Sequence, residues 1–352
     1  MRTTRTALLA ALVTLVVATP ACAVIGGRVI EPAAVPWFAY TGNCGAMLVA
    51  PNRLVTASHC VAQMGLTDLS HINVGGVTTS ATRFAMYPSW RRDNGGNVLD
   101  DVAIIEFAQP VAAVAPVTLG GLSELPAEAR IVGRGRAAAP GSGASLQQTF
   151  DGNLREAILR PMTDTKCARL WQRHKGNSGE RFDGARMICA IDIDGRPPLS
   201  SGCNGDSGGP LYAGTPDAPV LLGIVSWGGA GCGADHLPSV FADVERYRDF
   251  ITSPSPAWAP TTASAAKITD RRRVGARLTC TASGFATAPT KLAVLWNRQG
   301  GGRGPRAVSG KTYTVRKADR GRRLACSIQA SNAGGVTSVP FSDRLSVVRI
   351  AR

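Results

Sequence analysis

The sequence predicts an all-β protein built in two modules. Between Val24 and about Thr252, short alternating apolar runs such as Val55-Thr56-Ala57, Val102-Ala103-Ile104-Ile105 and Val220-Leu221-Leu222-Gly223-Ile224-Val225 are separated by Gly, Pro, Asn and Asp, the pattern of a barrel or sandwich. One segment there reads as a helix: Val244, Tyr247, Phe250 and Ile251 share a face after Asp243, with Glu245, Arg246 and Asp249 turned away. Beyond about Lys267 the alternation resumes around two cysteines, Leu278-x-Cys280-x-Ala282 and Leu324-x-Cys326-x-Ile328, which places each sulfur on the inward face of a strand.

Residues 1–23 join a basic start, Arg2 and Arg5, to an apolar run from Ala7 to Ala18 and the small triplet Ala21-Cys22-Ala23, the layout of a removable secretory signal. The run falls short of the roughly 20 apolar residues that span a bilayer, so no membrane span is expected. Residues 24–252 form the larger module. Residues 253–266, rich in Pro, Ser, Thr and Ala and free of charge, read as a semi-rigid exposed linker. Residues 267–352 form a smaller β module, with Trp296 between its two cysteines. No internal repeat is present.

The 352 residues carry 39 Lys plus Arg against 24 Asp plus Glu, a net charge of +15, with 44% apolar residues. That apolar content excludes a disordered polyelectrolyte. The charge is localised: residues 24–253 hold 19 basic and 21 acidic groups, whereas residues 254–352 hold 18 basic and 3 acidic. Any polyanionic partner, such as a cell-surface polymer or polysaccharide, is therefore expected on the second module. Nucleic acid is not expected, because Arg271-Arg272-Arg273 and Arg320-Gly321-Arg322-Arg323 lack interleaved aromatics or a groove-reading motif. Of nine cysteines, Cys22 lies in the export signal. The eight others, an even number in an exported chain without a Cys-x-x-Cys pair, point to disulfides rather than metal ligation. His71, His174 and His236 are not spaced as metal ligands and read as surface residues.

Three segments carry candidate chemistry: Thr56-Ala57-Ser58-His59-Cys60, Asp101-Val102-Ala103-Ile104-Ile105, and Gly205-Asp206-Ser207-Gly208-Gly209-Pro210. Singly, each has a bland reading as a core histidine, a strand-end carboxylate and a turn serine. Together, in this order, they resemble the chymotrypsin/trypsin family of serine peptidases, from Val24 to about Thr252. The resemblance implies two six-stranded antiparallel β-barrels with a C-terminal helix, protein or peptide substrates, secretion, and neither cofactor nor metal. A monomer is expected. Ser207 is then the nucleophile, His59 its general base and Asp101 the group that fixes the His59 tautomer, with the amides of Gly205 and Ser207 aimed at the developing oxyanion. Asp100 competes with Asp101, but Asp101 directly precedes the apolar strand, as the resemblance requires; substitution at Asp100 is expected to matter little.

The same resemblance selects the pairings Cys44–Cys60, Cys167–Cys189 and Cys203–Cys232 from the 105 that eight cysteines allow, leaving Cys280 with Cys326. It also implies an activating amine at Val24, in Val24-Ile25-Gly26-Gly27, paired with Asp206; the position of Val24 after Ala23 would let signal peptidase release that amine with no separate zymogen segment. Ser201, six before the nucleophile, would floor the primary pocket, and a neutral residue there points to cleavage after apolar or aromatic residues. Ser226, Trp227 and Gly228 would bind extended substrate. Ser239 stands where Gly is common and would narrow the pocket; Arg134 stands where many relatives carry an aromatic residue. The second module, with its Cys280…Trp296…Cys326 order, resembles the immunoglobulin-like β-sandwich modules appended to secreted bacterial enzymes. A different class of function, an inactive peptidase homologue that binds surfaces through its basic module, would be signalled by loss of a triad member, and all three are present.

Overall fold

The structure, a computed structural model, describes residues 24–351 except 63, 65–67, 93–97, 122–124, 140, 144–148, 175–181, 263, 270–272, 300–307, 341, 343 and 345. The export signal and Arg271-Arg272 thus lie outside the described residues. After β1 (Arg28–Val29), a first sheet forms from β2 (Phe38–Tyr40), β3 (Gly45–Ala50), β4 (Arg53–Thr56), β5 (Ile72–Val74), β6 (Val77–Thr79) and β7 (Ala81–Met86). A hairpin, β8 (Arg91–Arg92) and β9 (Val98–Leu99), intervenes before β10 (Ala103–Phe107) joins that sheet. A single turn of helix, α1 (Ser58–Val61), follows β4.

The first sheet runs β6-β5-β2-β3-β4-β10-β7 and its ladder is open, so the expectation of two closed barrels needs correction. The two end strands, β6 and β7, are consecutive and separated by Ser80 alone. The chain bends back there and joins the sheet's edges covalently, where a second barrel would have joined them by a ladder. Every residue of β10 and of β4 is buried, including Arg53 and Glu106, which pair with each other.

The second sheet does close. It uses β12 (Ala129–Gly133), β13 (Arg155–Met162), β14 (Met187–Asp192), β15 (Pro210–Thr215), β16 (Ala218–Trp227) and β17 (Ser239–Asp243), ordered β13-β12-β15-β16-β17-β14 with β14 returning to β13. The short β11 (Thr118–Leu119) lies parallel to β16, and β1 adds to β13. Helix α2 (Asp164–Arg173) connects β13 to β14 and is tied to it by Cys167–Cys189. The closing helix, α3 (Arg248–Thr252), is shorter than its periodicity suggests: Tyr247 is its cap, and Val244 precedes it in a turn, although both are buried.

The remaining strands form two further sheets. One is β18 (Lys267–Thr269), β19 (Arg277–Thr281) and β22 (Thr312–Thr314); the other is β20 (Lys291–Gln299), β21 (Val308–Ser309), β23 (Arg323–Asn332), β24 (Gly335–Ser338) and β25 (Val347–Arg349). Cys280–Cys326 joins β19 to β23 across the sheets, and Trp296, 1% exposed, sits directly opposite Cys326 on β20. Asp319 is fully buried at one end of this core, where the Tyr313 hydroxyl, the Arg316 amide and the Arg298 guanidinium donate to it.

The Pro/Ser/Thr/Ala-rich segment departs from the exposed linker expected of it. Ala259, Pro260, Thr261 and Thr262 are buried. The Ala259 amide donates to Phe84 of β7, and Arg83 stands 4.0 Å over the Trp258 ring. Composition misled because a segment poor in large side chains is still held by its backbone when the strands beside it offer partners. The hairpin between β23 and β24 reaches the first sheet as well: the Met86 amide donates to Gly334, and the Thr337 hydroxyl donates to the Met64 carbonyl at 2.8 Å.

Candidate active site

Strand pairing brings the first two candidate residues together. In the antiparallel ladder of β4 with β10, Thr56 lies opposite Ala103, so the end of one strand meets the start of the other. His59 follows β4 on α1, and Asp101 precedes β10. The His59 ring nitrogen Nδ1 lies 2.7 Å from Asp101 Oδ2, and the His59 amide donates to Asp101 Oδ1 at 2.8 Å. The Ser226 hydroxyl donates to Asp101 Oδ2 at 2.6 Å. Asp101 is 2% exposed. Burial raises its pKa, but the nearby His59 and the hydrogen bonds from His59 and Ser226 outweigh this, and its carboxyl is held below the usual carboxylate range. Cys44–Cys60 ties the start of β3 to α1, beside His59. His59, Cys44 and Cys60 cluster closely enough to suggest a metal site, but both sulfurs are spent in the disulfide.

Ser207 arrives from the second sheet, across the junction. Its carbonyl accepts the Gly45 amide, and Gly208 donates to Val225. Glycine is required at this seam: a methyl group on Gly45 would stand 2.7 Å from the Gly209 Cα, inside any real contact. His59, Gly205, Ser207, Ser226, Trp227 and Gly228 line one cleft of about 910 Å³. Gly205 has φ +95°. Among the described residues neither the Gly205 nor the Ser207 amide donates to a protein acceptor, leaving two N–H groups for a ligand oxygen.

Asp206 is completely buried between these amides, with the Gly135 N–H on Oδ1 and the Cys203 N–H on Oδ2, both at 2.9 Å. Burial pushes its carboxyl up to about 7, and the two amides pull against that. Gly133 and Gly135 make its room, since a methyl group on either would stand within 2.8 Å of its Cγ. Val24 is fully buried and Ile25 forms a bridge with Ser201, so the first described residues pack beside the Asp206 loop.

At the cleft's base, Ser239 Oγ lies 3.2 Å from Ser201 Oγ and accepts the Gly202 amide at 3.0 Å. Both hydroxyls are buried, and Ser201 also bonds the Gly202 carbonyl. At the mouth, a methyl group on Gly228 would meet only the Ser239 Cα, at 3.9 Å. Trp227 packs on Trp171 of α2, with ring centroids 4.6 Å apart. His71 and His236 are exposed and His174 partly so. Three disulfides match the pairings that the resemblance selects, and the fourth joins the remaining Cys280 and Cys326.

Sequence reasoning missed three features of this site. Ser226, expected to bind extended substrate, also donates its hydroxyl to Asp101. Met64 and Trp90 line the cleft with no motif to announce them. Asp100, expected to matter little, is 4% exposed and bonded to three side chains.

The sequence model of the family described as Trypsin matches residues 24–251. The chain is 29% identical over 252 residues to transmembrane protease serine 5 of Homo sapiens, a match covering 65% of this chain and 50% of that protein. It is 28% identical over 245 residues to trypsin delta of Drosophila melanogaster, covering 65% of this chain and 87% of that one. The chain therefore spans half the length of the first relative, and 22% of transmembrane protease serine 9 of Rattus norvegicus. Among solved structures, neuropsin, a serine protease expressed in the limbic system of mouse brain, is similar with a TM-score of 0.50 at 25% identity, over 64% of this chain and 97% of that one.

Proposed function

Because the chain belongs to the trypsin family, we propose that it is a secreted serine endopeptidase in which Ser207, His59 and Asp101 cleave peptide bonds through an acyl-enzyme. The observation that carries this reading is the carboxylate–imidazole pair of Asp101 and His59, 2.7 Å apart, in a cleft shared with Ser207 and two open amides. A serine hydroxyl is a poor nucleophile at neutral pH. His59 takes its proton as the hydroxyl oxygen bonds the substrate carbonyl carbon, and the carbonyl oxygen becomes an anion facing the Gly205 and Ser207 amides. His59 then gives that proton to the departing amine nitrogen as the C–N bond breaks. Water repeats the sequence on the ester and frees Ser207. Asp101 stays ionised throughout and stabilises the imidazolium.

The amine of Val24, once freed, is proposed to pair with Asp206. A carboxylate so deeply buried demands a cation, and the pair would hold the loop that presents both oxyanion amides. The primary pocket ends in the Ser201–Ser239 hydroxyl pair, which satisfies itself and offers no charge to Lys or Arg; side chains that are neutral and apolar or aromatic fit it, with Ser239 shortening the reach. The second module is proposed to be immunoglobulin-like, from its cross-sheet disulfide beside Trp296, and to bind a polyanionic surface polymer through its exposed basic face.

The test is labelling by a serine-reactive phosphonate, expected in the wild-type chain and lost in Ser207→Ala. An unlabelled wild-type chain would favour the inactive homologue. A peptide library then reads the pocket: faster cleavage after Arg or Lys than after Phe, Tyr, Leu or Met overturns the neutral preference.

A further inference from the structure

We propose that Asp100 is a positioning residue that aims Asp101 at His59, an inference resting on the peptidase reading above. Hydrolysis makes no chemical use of the Asp100 carboxylate, yet the chain buries it to 4% exposure beside the triad. It accepts the Ser89 hydroxyl at 2.7 Å, the Tyr247 hydroxyl at 2.9 Å and the Arg186 guanidinium at 3.2 Å. These three donors come from separate places: the turn after β7, the cap of α3, and the turn before β14.

The backbone supplies the second observation. Asp100 has φ +54°, a left-handed conformation that a side-chain-bearing residue keeps only where its surroundings over-determine it. Its carbonyl accepts the Val102 amide at 2.9 Å, which closes a three-residue turn with Asp101 at the centre. That turn sets the direction in which the Asp101 side chain leaves the backbone. Asp101 must meet the His59 amide, the His59 ring and Ser226 together, and a turn free to relax would lose at least one of them. Clamping Asp100 at three points fixes the turn, and through it the carboxylate.

Substitutions separate the backbone from the clamp. Asp100→Gly keeps the left-handed conformation at no steric cost but removes every clamp contact. Asp100→Asn keeps both, because its side-chain oxygen accepts from Ser89 and Arg186 while its amide donates to the Tyr247 oxygen. In the full chain, Asp100→Gly is expected to lower kcat about tenfold to hundredfold, the scale of a small misplacement of a reacting group. KM is expected to change little, phosphonate labelling to slow in proportion, and Asp100→Asn to restore both. Tyr247→Phe, which removes one clamp, is expected to lower kcat by less. Wild-type kcat in Asp100→Gly, a loss confined to KM, or an Asn variant no better than Gly would overturn the proposal. Should Asp100→Gly fail to fold, unchanged kcat in Tyr247→Phe overturns it equally. A wild-type chain that neither cleaves nor labels would instead refute the peptidase reading itself.

Discussion

The substitution Gly133→Ala adds one methyl group to β12, at a position that looks permissive in sequence. That methyl would overlap Asp206 Oδ1 and stand 2.8 Å from its Cγ and 3.2 Å from its Cβ. Neither partner can yield cheaply. Gly133 is held in the ladder opposite Arg155, and Asp206 is fully buried with both oxygens bonded to backbone amides. Overpacking of this kind costs about 1–3 kcal/mol, which lowers the midpoint of a domain this size by roughly 3–10 °C. Activity should suffer separately. Asp206 lies between Gly205 and Ser207, so displacing its carboxylate moves the two amides proposed to receive the oxyanion, and losing one such donor costs about 10²-fold or more. The assay is thermal unfolding alongside the rate of phosphonate labelling. An alanine variant with wild-type midpoint and labelling rate would refute the claim that this glycine exists to make room for Asp206.

Asp101→Asn should lower kcat about 10⁴-fold while leaving the fold intact, since the wrong tautomer of His59 faces the nucleophile; kinetics with a circular dichroism control checks it. A chain whose Val24 amine is blocked should show the titration of an unpaired Asp206, whose folded pKa of about 7 exceeds its ordinary 3.8. Its stability should be full below about pH 4 and fall as pH rises through about 7, whereas pairing with a free ammonium should remove that fall; melting midpoints of both forms across this window decide it. Trp258→Ala, which removes the ring under Arg83, should cost about 0.5–2 kcal/mol and loosen the second module from the first sheet, seen as a second transition in calorimetry. Replacing the exposed Arg316, Arg320 and Arg349 with Ser should lower the salt needed to elute the full chain from an anionic matrix, and an unchanged elution point would leave the basic face a solvated surface.

Much of the site was legible because its chemistry demands particular residue types at particular places. The proposed triad of His59, Asp101 and Ser207 could be named from three short segments, and three disulfides followed the resemblance, with Cys280–Cys326 the pair left over. What stayed hidden depends on long-range contact. Nothing local says that Ser226 will reach Asp101, 125 residues away, or that Asp100 will meet Tyr247, 147 residues on. The left-handed backbone of Asp100 is equally silent, because aspartate is common in ordinary turns. The open ladder of the first sheet turns on a bend at Ser80 that no periodicity records. Gly133 and Gly135 were visible as a pair around Arg134, but their purpose is the volume of the Asp206 side chain, 71 residues beyond Gly135.

The docking of residues 257–262 and of the β23–β24 hairpin bears on how a peptidase survives its own company. A cleft that binds substrate by strand addition needs several residues of extended, accessible backbone. An exposed run of Pro, Ser, Thr and Ala between two modules would be the obvious place for one copy to cut another. Here Ala259, Pro260, Thr261 and Thr262 of that run are buried, the Ala259 amide is held by Phe84, and the following module is held at Met64 and Met86. To be nicked there the chain must first open locally, so the contacts that fix the second module also set its resistance to self-digestion.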